Sequence, residues 1–360
     1  MAPDGTSYDI DQDFDTFPGF PQVQSKAIFP ASRDAWPELT GKPPVNAPPS
    51  RGLKANPALP NLVHSSVERI DLTPSIGTEL RGVQLSQLND AGRDELALLL
   101  AQRGVVFFRD QDLTDNQQGA LFNYFDHIED VPVEEADKMI HDIKELEADY
   151  RQTYVYYPWK FADAHADGSY LINPPNLSLL KITDLPNGGG GDTVFTSQYG
   201  LYDSLSPVLQ EFVSSLKAAF FEARTNYSGR EPKERPIDTH HPLVITHPVT
   251  GWRALYFNSN FVHRIANVKY QESQALFQFL QQHVDAGQDH QVRFRWEKNS
   301  VAIWDNRACL HRATHDYYPN PRAGRRATST GAIPTFDPKS LSRSQATGRT
   351  ATGARQQQQQ

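Results

Sequence analysis

The sequence has little cysteine and no long apolar run. Cys309 is its one cysteine, which excludes an internal disulfide and is typical of a reducing compartment. No stretch of the chain reaches the length that a membrane span requires, so we expect no membrane contact. The first residues, MAPDGTSYDIDQDF, are polar and acidic, which is not the pattern of a secretory signal peptide. These features together predict a soluble cytoplasmic protein.

Positive charge is also scarce. The 360 residues include 35 Lys and Arg against 43 Asp and Glu, which gives a formal net charge of -8. Nucleic-acid-binding proteins usually present a basic face, so the composition argues against a nucleic-acid partner. A chain of this length with 19 Phe and 14 Tyr can bury a sizeable core. We expect an enzyme with a small-molecule substrate, and a homo-oligomer is compatible with the sequence.

Composition divides the chain into three segments. Residues 1–62 are rich in Pro and Asp and lack periodicity, which predicts an extended N-terminal arm. Residues 63–336 alternate between apolar and polar patterns and are predicted to form the folded domain. Residues 337–360 end in SRSQATGRTATGARQQQQQ, a low-complexity sequence that predicts a disordered tail.

Short apolar runs dominate the central segment, with few helices among them. Asp90 is a possible N-cap for a helix that ends at Gly104, and further helices are predicted from Thr114, from Ser206 and over 270–285. The sequence VRFRW-EKNS-VAIWD predicts a β-hairpin. Strands are predicted at 67–72, 153–157, 177–182, 192–196, 254–258, 292–296, 301–304 and 308–313. The pattern favours a mixed α/β but mainly β fold, a sandwich or jelly roll braced by helices.

The segment ADAHADGSY carries a candidate metal-binding pair. His165 and Asp167 are two positions apart, so on an extended strand their side chains leave the same face. An imidazole and a carboxylate together supply two members of the 2-His-1-carboxylate triad that binds non-haem iron. A chain with 12 His also produces this short pattern by chance, so a surface histidine beside an aspartate is the alternative.

A later segment supplies a third ligand and two cations. His311 follows AIWDNRACL in an apolar strand, and Arg322 and Arg326 come after a PNP turn at 319–321. If the chain reverses at this turn, both guanidinium groups return toward His311. A guanidinium group binds a carboxylate through two hydrogen bonds, so the pattern predicts an anion pocket beside a metal site. Arg325 should point the opposite way from Arg326 and serve the structure.

At these residues the chain resembles the taurine dioxygenase family of Fe(II)/2-oxoglutarate-dependent dioxygenases, above all its fungal sulfonate dioxygenases. The resemblance covers about residues 65–335. It rests on GVQLSQLNDAGRDELALLLAQRGVVFFRDQD (82–112), HAD with NPPNLSLLKI, GGDTVFTSQYGLYDSLSP, HPLVITHPVTGWRALYFNSNFVHRI and FRWEKNSVAIWDNRACLHRATHDY.

The resemblance implies a double-stranded β-helix for the domain of residues 63–336. It also implies that His165, Asp167 and His311 hold Fe(II), with no catalytic side chain beyond these ligands. Halogenases with related chemistry have a small residue at the carboxylate position, so Asp167 favours hydroxylation or desaturation.

The resemblance further implies the ligand contacts. Thr193 and Arg322 match the residues that hold 2-oxoglutarate, Arg326 matches the arginine for the substrate anion, and Phe261 matches a region that touches substrate. The expected reaction consumes O2 and 2-oxoglutarate and releases succinate and CO2 while it oxidises a small anionic compound such as a sulfonate.

The chain departs from the family beside the first histidine. Ala164 stands where the family usually has Trp, and Ala166 stands where it usually has Thr or Ser. These changes leave open a biosynthetic oxygenase of a secondary metabolite with the same iron chemistry. A catalytically silent binding protein on the same fold and a zinc hydrolase are further alternatives. We expect the other histidines, among them His241 and His247, to be loop or packing residues.

Overall fold

The computed structural model of the chain describes residues 47–125, 164–221, 238–317, 320 and 322–348, and the backbone of strand Ile140–Asp142. The chain divides into two units, and the smaller one, 1–40 with 224–235, lies outside the described residues. The described α-helices are α1 Asp90–Arg103, α2 Asp115–Phe125, α3 Gln198–Asp203, α4 Pro207–Ser214, α5 Tyr270–Ala286 and α6 Arg343–Thr347.

The described strands follow the short apolar runs. They are β1 Glu68–Asp71, β2 Thr78–Arg81, β3 Val105–Phe108, β4 Ile140–Asp142, β5 Leu177–Asp184, β6 Thr193–Ser197, β7 Lys217–Phe221, β8 Asp238–Pro242, β9 Val244–Thr246, β10 Arg253–Leu255, β11 Val262–Ala266, β12 Gln291–Phe294, β13 Val301–Asp305, β14 Cys309–Ala313 and β15 Ala323–Thr328. None of the described helices is long and apolar enough to cross a bilayer.

Two sheets enclose the central core. The larger has the order β1-β2-β3-β13-β5-β15-β4, with only β2 and β3 parallel, and the smaller has the order β12-β6-β14. Side chains alternate along each strand, so Val105 and Phe107 of β3 face the inner core while Val106 and Phe108 face the helices. The result is a mainly β jelly roll braced by helices, which confirms the predicted fold class.

Helices α1 and α2 cover the outer face of the larger sheet. The Asn89 side chain accepts a hydrogen bond from the Gly92 amide at 2.8 Å, so Asn89 rather than the expected Asp90 caps α1. Gly104 ends the helix with φ of 73°, as predicted. Leu59 and Leu62 are buried in the same layer, so this part of the predicted N-terminal arm packs on the domain.

A third layer lies on the other side of the smaller sheet. Helices α3, α4 and α5, with strands β7–β11, build a separate apolar core that includes Leu310 of β14. The Ser206 hydroxyl accepts a hydrogen bond from the Leu209 amide at the start of α4, with Pro207 in the first turn, as the sequence predicted.

The predicted hairpin is wrong. Strand β12 pairs with β6, whereas β13 pairs with β3 on one side and β5 on the other, so the two strands belong to different sheets. All five residues of β13 are buried, as in a central strand, whereas Gln291 and Arg293 of β12 are exposed to varying degrees. Because β13 already has two neighbours, no edge is left for β12.

The predicted disorder of the tail does not hold for residues 337–348. Ser342 caps α6 by accepting a hydrogen bond from the Gln345 amide, and the Arg343 side chain donates to the Ser75 carbonyl at 2.6 Å. Arg343 is buried, so this turn of helix is part of the domain. The predicted strand at 153–157 and residues 349–360 lie outside the described residues.

The inner core predicts a large cost for one truncation. Phe107 is fully buried and stacks on Phe294 with ring centroids 3.9 Å apart. We expect Phe107→Ala to lower the free energy of unfolding by about 3–5 kcal/mol because it opens a cavity between the sheets. The control, Phe212→Ala on an exposed face of α4, should cost less than about 1 kcal/mol. Equal losses in urea unfolding would contradict this assignment of the core.

Candidate metal centre

A two-hydrogen-bond bridge brings the two predicted histidine ligands together. The His165 amide donates to the His311 carbonyl at 2.9 Å, and the His311 amide donates to the His165 carbonyl at 2.8 Å. Residues paired in this way lie directly opposite each other on adjacent extended segments. Their imidazole rings therefore project side by side, with centroids 4.4 Å apart.

Asp167 completes the cluster. Its Oδ1 lies 3.7 Å from Nε2 of His165 and 3.5 Å from Nε2 of His311. Among the described residues, these three form the one group of His, Cys, Asp or Glu whose ligand atoms all lie within 4.8 Å of one another. Two imidazole nitrogens and one carboxylate oxygen on one side of an ion are the donors of the 2-His-1-carboxylate triad. The donor set fits such an ion, and its use for iron stays a prediction.

The carboxylate of Asp167 stays ionised at neutral pH. Burial raises its pKa, but the charge of Arg326 and the two histidines, together with the Ser178 hydroxyl, lower the pKa by more, so it lies well below its usual range. The Arg326 guanidinium contacts Oδ1 directly, and Ser178 donates to Oδ2 at 2.7 Å. An ionised carboxylate is the form that coordinates a cation.

Strand β15 sends neighbouring arginines to opposite faces. Arg326 pairs in register with Leu180 and enters the site, whereas Arg325 pairs with Lys181 and donates to Asp115 of α2 at 3.1 Å. The predicted separation of the two side chains is therefore confirmed. Arg326 reaches the metal cluster, and its role toward a substrate anion stays a prediction.

Thr193 and Arg322, the predicted 2-oxoglutarate contacts, share Trp296 as a neighbour. The Trp296 indole donates to the Thr193 hydroxyl at 3.0 Å, and the Arg322 guanidinium carbon lies 5.7 Å from the Trp296 ring centroid. Both predicted residues are buried. A side chain at Gly191 would meet Arg322 Cδ at 2.9 Å, and φ of 72° there also favours glycine, so the glycine-rich turn makes room for this arginine.

Aromatic side chains border the cluster. The Phe261 ring packs edge to face against His165 and against Tyr170, with ring centroids 5.6 and 4.9 Å apart, so Phe261 lies beside a metal-ligand candidate. Its contact with a substrate stays a prediction. Ala166 is fully buried in the third-layer core, away from the ligand face of the segment. Replacement of the family's usual Thr or Ser by Ala166 therefore leaves the metal donors unchanged.

Sequence reasoning missed three residues that support the site, Ser178, Trp296 and Asn306. The Asn306 side chain accepts a hydrogen bond from the Asp167 amide at 3.0 Å and donates to Ser178 at 2.9 Å. All three residues stand in the motifs that carry the family resemblance, but the contacts of Asn306 with Asp167 and Ser178 and of Trp296 with Thr193 join residues distant in sequence. No local pattern identifies such contacts.

His241 and His247 are packing residues, as expected. Fully buried His247 donates from Nε2 to Asp305 at 3.0 Å, and His241 donates to the Leu171 carbonyl at 2.9 Å. Burial lowers the pKa of both imidazoles. Arg307 also donates to Asp305, at 2.6 Å, so a buried ion pair anchors the turn between β13 and β14.

This ion pair predicts a pH dependence of stability. Burial raises the pKa of Asp305, but Arg307 and His247 lower it by more, so the pKa in the folded state lies well below the value of about 3.9 in the unfolded chain. Its stabilisation is therefore present above pH ~4 and lost as the pH falls below that value. We expect Asp305→Asn to cost about 3–5 kcal/mol at pH 7 and less at pH 3, measured by urea unfolding. The exposed control Asp90→Asn should show a much smaller loss, and a pH-independent cost of Asp305→Asn would refute the linkage.

The chain is similar to known proteins over most of its length. The family model described as taurine catabolism dioxygenase TauD, TfdA family matches residues 68–328. An alpha-ketoglutarate-dependent sulfonate dioxygenase of Saccharomyces cerevisiae is 35% identical over 282 residues, 75% of this chain and 68% of that protein. An alpha-ketoglutarate-dependent dioxygenase of Penicillium expansum is 34% identical over 292 residues, 75% of this chain and 79% of that protein.

Solved structures of known proteins share the fold of this chain. The crystal structure of a taurine dioxygenase from Burkholderia xenovorans superposes with a TM-score of 0.62 at 32% identity, over 75% of this chain and 92% of that chain. The names of these relatives imply 2-oxoglutarate and O2, and the His-Asp-His cluster indicates a metal. The chain therefore belongs to the taurine catabolism dioxygenase TauD, TfdA family and is an enzyme of the dioxygenase class.

Proposed function

We propose that the chain is an Fe(II)- and 2-oxoglutarate-dependent dioxygenase that hydroxylates or desaturates a small anionic organic compound, with a sulfonate as the first candidate. The observation that carries this proposal is the convergence of His165, Asp167 and His311 on one point. Arg322 and Thr193, which both neighbour Trp296, would hold the co-substrate. Succinate and CO2 are the co-products.

The metal part of the proposal rests on the donor set. His165, Asp167 and His311 would hold Fe(II) from one side, and the ionised state of Asp167 supplies the negative charge. Iron held there would supply the chemistry that oxidises a substrate C–H bond with O2. A zinc hydrolase needs no arginine to hold the carboxylate of a co-substrate, so Arg322 argues against a zinc hydrolase. The protein's task is to position the substrate and to limit access of water.

The co-substrate part rests on Thr193 and Arg322. Trp296 donates to the Thr193 oxygen, which leaves the Thr193 hydroxyl proton to donate elsewhere. A carboxylate between this hydroxyl and the Arg322 guanidinium would receive charge-assisted hydrogen bonds at a buried place, where they are strong. The relatives named alpha-ketoglutarate-dependent support 2-oxoglutarate as the owner of that carboxylate.

The substrate part rests on Arg326 and Phe261. Nε of Arg326 is buried and has no hydrogen-bond partner among the described residues, so the guanidinium keeps a donor for an anion. Phe261 and Tyr170 give an apolar wall for the carbon skeleton. The sulfonate named for the yeast relative supports an anionic substrate. Ala164 at the usual Trp position supports, as a second candidate, a biosynthetic oxygenase with another substrate, as does the similarity to the Penicillium protein.

The iron assignment predicts an optical signal. Anaerobic addition of Fe(II) and 2-oxoglutarate to the full chain should give a visible charge-transfer band, and His165→Ala should abolish it because one ligand is lost. The control His240→Ala alters an exposed histidine of β8 and should keep the band. Folded wild-type protein without a band, or a band that survives in His165→Ala, would refute the iron site.

The anion assignment predicts a selective loss. We expect Arg326→Leu to lower kcat/KM for sulfonates, sulfates or carboxylates roughly 10- to 100-fold, because a hydrogen bond to a charged group contributes about 1.5–3 kcal/mol. Succinate formation across a substrate panel measures this effect. The matched control is Arg325→Leu, whose side chain faces α2. Turnover of neutral compounds with no effect of Arg326→Leu, while the charge-transfer band is kept, would defeat an anionic substrate.

A further inference from the structure

The two oxygens of the Asp167 carboxylate have different surroundings. Oδ1 is the atom that lies 3.7 and 3.5 Å from the two histidine nitrogens. Oδ2 accepts a hydrogen bond from the Ser178 hydroxyl at 2.7 Å. The Arg326 guanidinium also contacts Oδ1. The carboxylate thus presents Oδ1 to Arg326 and the metal point, and Oδ2 to Ser178.

Asn306 determines which way this hydrogen bond runs. Its Oδ1 lies 3.0 Å from the Asp167 amide nitrogen and 3.1 Å from the Trp304 indole nitrogen. Both of those groups can only donate, so the Asn306 atom that faces them must be the oxygen. The Asn306 amide nitrogen then faces Ser178, whose Oγ lies 2.9 Å away, and can only donate to it.

The Ser178 hydroxyl therefore donates its proton to Asp167. Its oxygen accepts from Asn306, and its single hydroxyl proton goes to Oδ2 of Asp167. Ser178 is 0% exposed, Asn306 1% and Asp167 3%, so the chain of hydrogen bonds is shielded from water. Hydrogen bonds in such a buried series strengthen one another.

The backbone holds Asn306 in place for this task. The backbone N–H of Asn306 donates to the Asn176 carbonyl at 2.9 Å, and the backbone carbonyl of Asn306 accepts from the Gln198 side chain at 2.9 Å. Asn306 also lies in the turn that the buried pair of Asp305 and Arg307 anchors. The side-chain amide has little freedom to turn over.

We propose that Asn306 is a positioning residue that acts through Ser178 to occupy Oδ2 of Asp167, so that Asp167 coordinates the metal through Oδ1 alone. The inference rests on the proposed function, since it takes His165, Asp167 and His311 as metal ligands. A carboxylate that binds through one oxygen leaves more positions on the ion for 2-oxoglutarate and O2. Hydrogen-bond partners of metal ligands typically change metal affinity 10- to 100-fold when they are removed.

The test measures Mn(II) binding to the full chain in the absence of 2-oxoglutarate and substrate. We expect Ser178→Ala and Asn306→Ala each to weaken Mn(II) binding roughly 10- to 100-fold. The double variant should bind Mn(II) no more weakly than the single variant with the lower affinity, because both substitutions break the same Asn306–Ser178–Asp167 series of hydrogen bonds. The control is Ser329→Ala, which removes a buried hydroxyl whose hydrogen-bond partner among the described residues is the backbone of Leu177, and this variant should bind Mn(II) like the wild type.

A second readout reports the coordination mode. The readout is the infrared difference spectrum on Mn(II) binding, which gives the frequency separation between the asymmetric and symmetric carboxylate stretching bands. This separation should be smaller in Ser178→Ala and Asn306→Ala than in the wild type, because Oδ2 of Asp167 has then lost its hydrogen bond and can also bind the ion. Wild-type binding and an unchanged separation in both variants would overturn the inference and leave the proposed function intact. Additive losses would show that Asn306 does not act through Ser178. Absence of Mn(II) binding by the folded wild type would instead overturn the proposed function.

The test does not depend on one variant. If Asn306→Ala fails to fold, Trp304→Phe removes one of the two donors that orient the Asn306 amide and keeps an aromatic ring in the core. We expect Trp304→Phe to lose less Mn(II) affinity than Ser178→Ala and to reduce the frequency separation of the carboxylate stretching bands. No change in either quantity would overturn the assignment.

Discussion

The pair of backbone hydrogen bonds between His165 and His311 is the constraint on which the site depends. It joins a short extended segment to the free edge of β14, and β14 is held through β6 in the smaller sheet. Because the two residues lie opposite each other, both imidazoles project together, and Asp167 follows on the same face two residues on. Loss of this bridge would separate the three donors even if every other element kept its place.

The layered sandwich then assigns different tasks to neighbouring residues. Side-chain alternation sends Arg325 to α2 and Arg326 to Asp167, and it sends Ser178 of β5 inward while Leu179 packs against the helices. The buried charges are compensated within the site, since Arg326 and the histidines offset the cost of burying Asp167. The same logic applies to Asp305, whose burial Arg307 and His247 offset.

Under the proposed function, the metal chemistry and the choice of substrate would be carried by different parts of the site. His311 lies on β14, His165 and Asp167 lie on the segment bridged to it, and the partners Ser178 and Asn306 lie on β5 and in the β13–β14 turn, where both are buried. Arg326 and Phe261, the proposed substrate contacts, lie beside the ligands Asp167 and His165. A family can therefore keep its oxidation chemistry and vary its substrate by changing few residues, which agrees with relatives named for sulfonates and others named only as dioxygenases.

Local patterns determined much of the secondary structure and the chemistry of the donors. Helix ends at Gly104 and Ser206, the buried runs of β3 and β13, and the residue types at positions 165, 167 and 311 follow from short-range rules. Strand partners do not, and the VRFRW–VAIWD hairpin was wrong because long-range hydrogen bonds had already given β13 two neighbours. The packing of α6 depends on Arg343 reaching Ser75, and the direction of the Asn306–Ser178–Asp167 series depends on donors from three separate segments. Such contacts exist only once the chain has folded, so the sequence determined which donors are available and the tertiary structure decided how they are oriented.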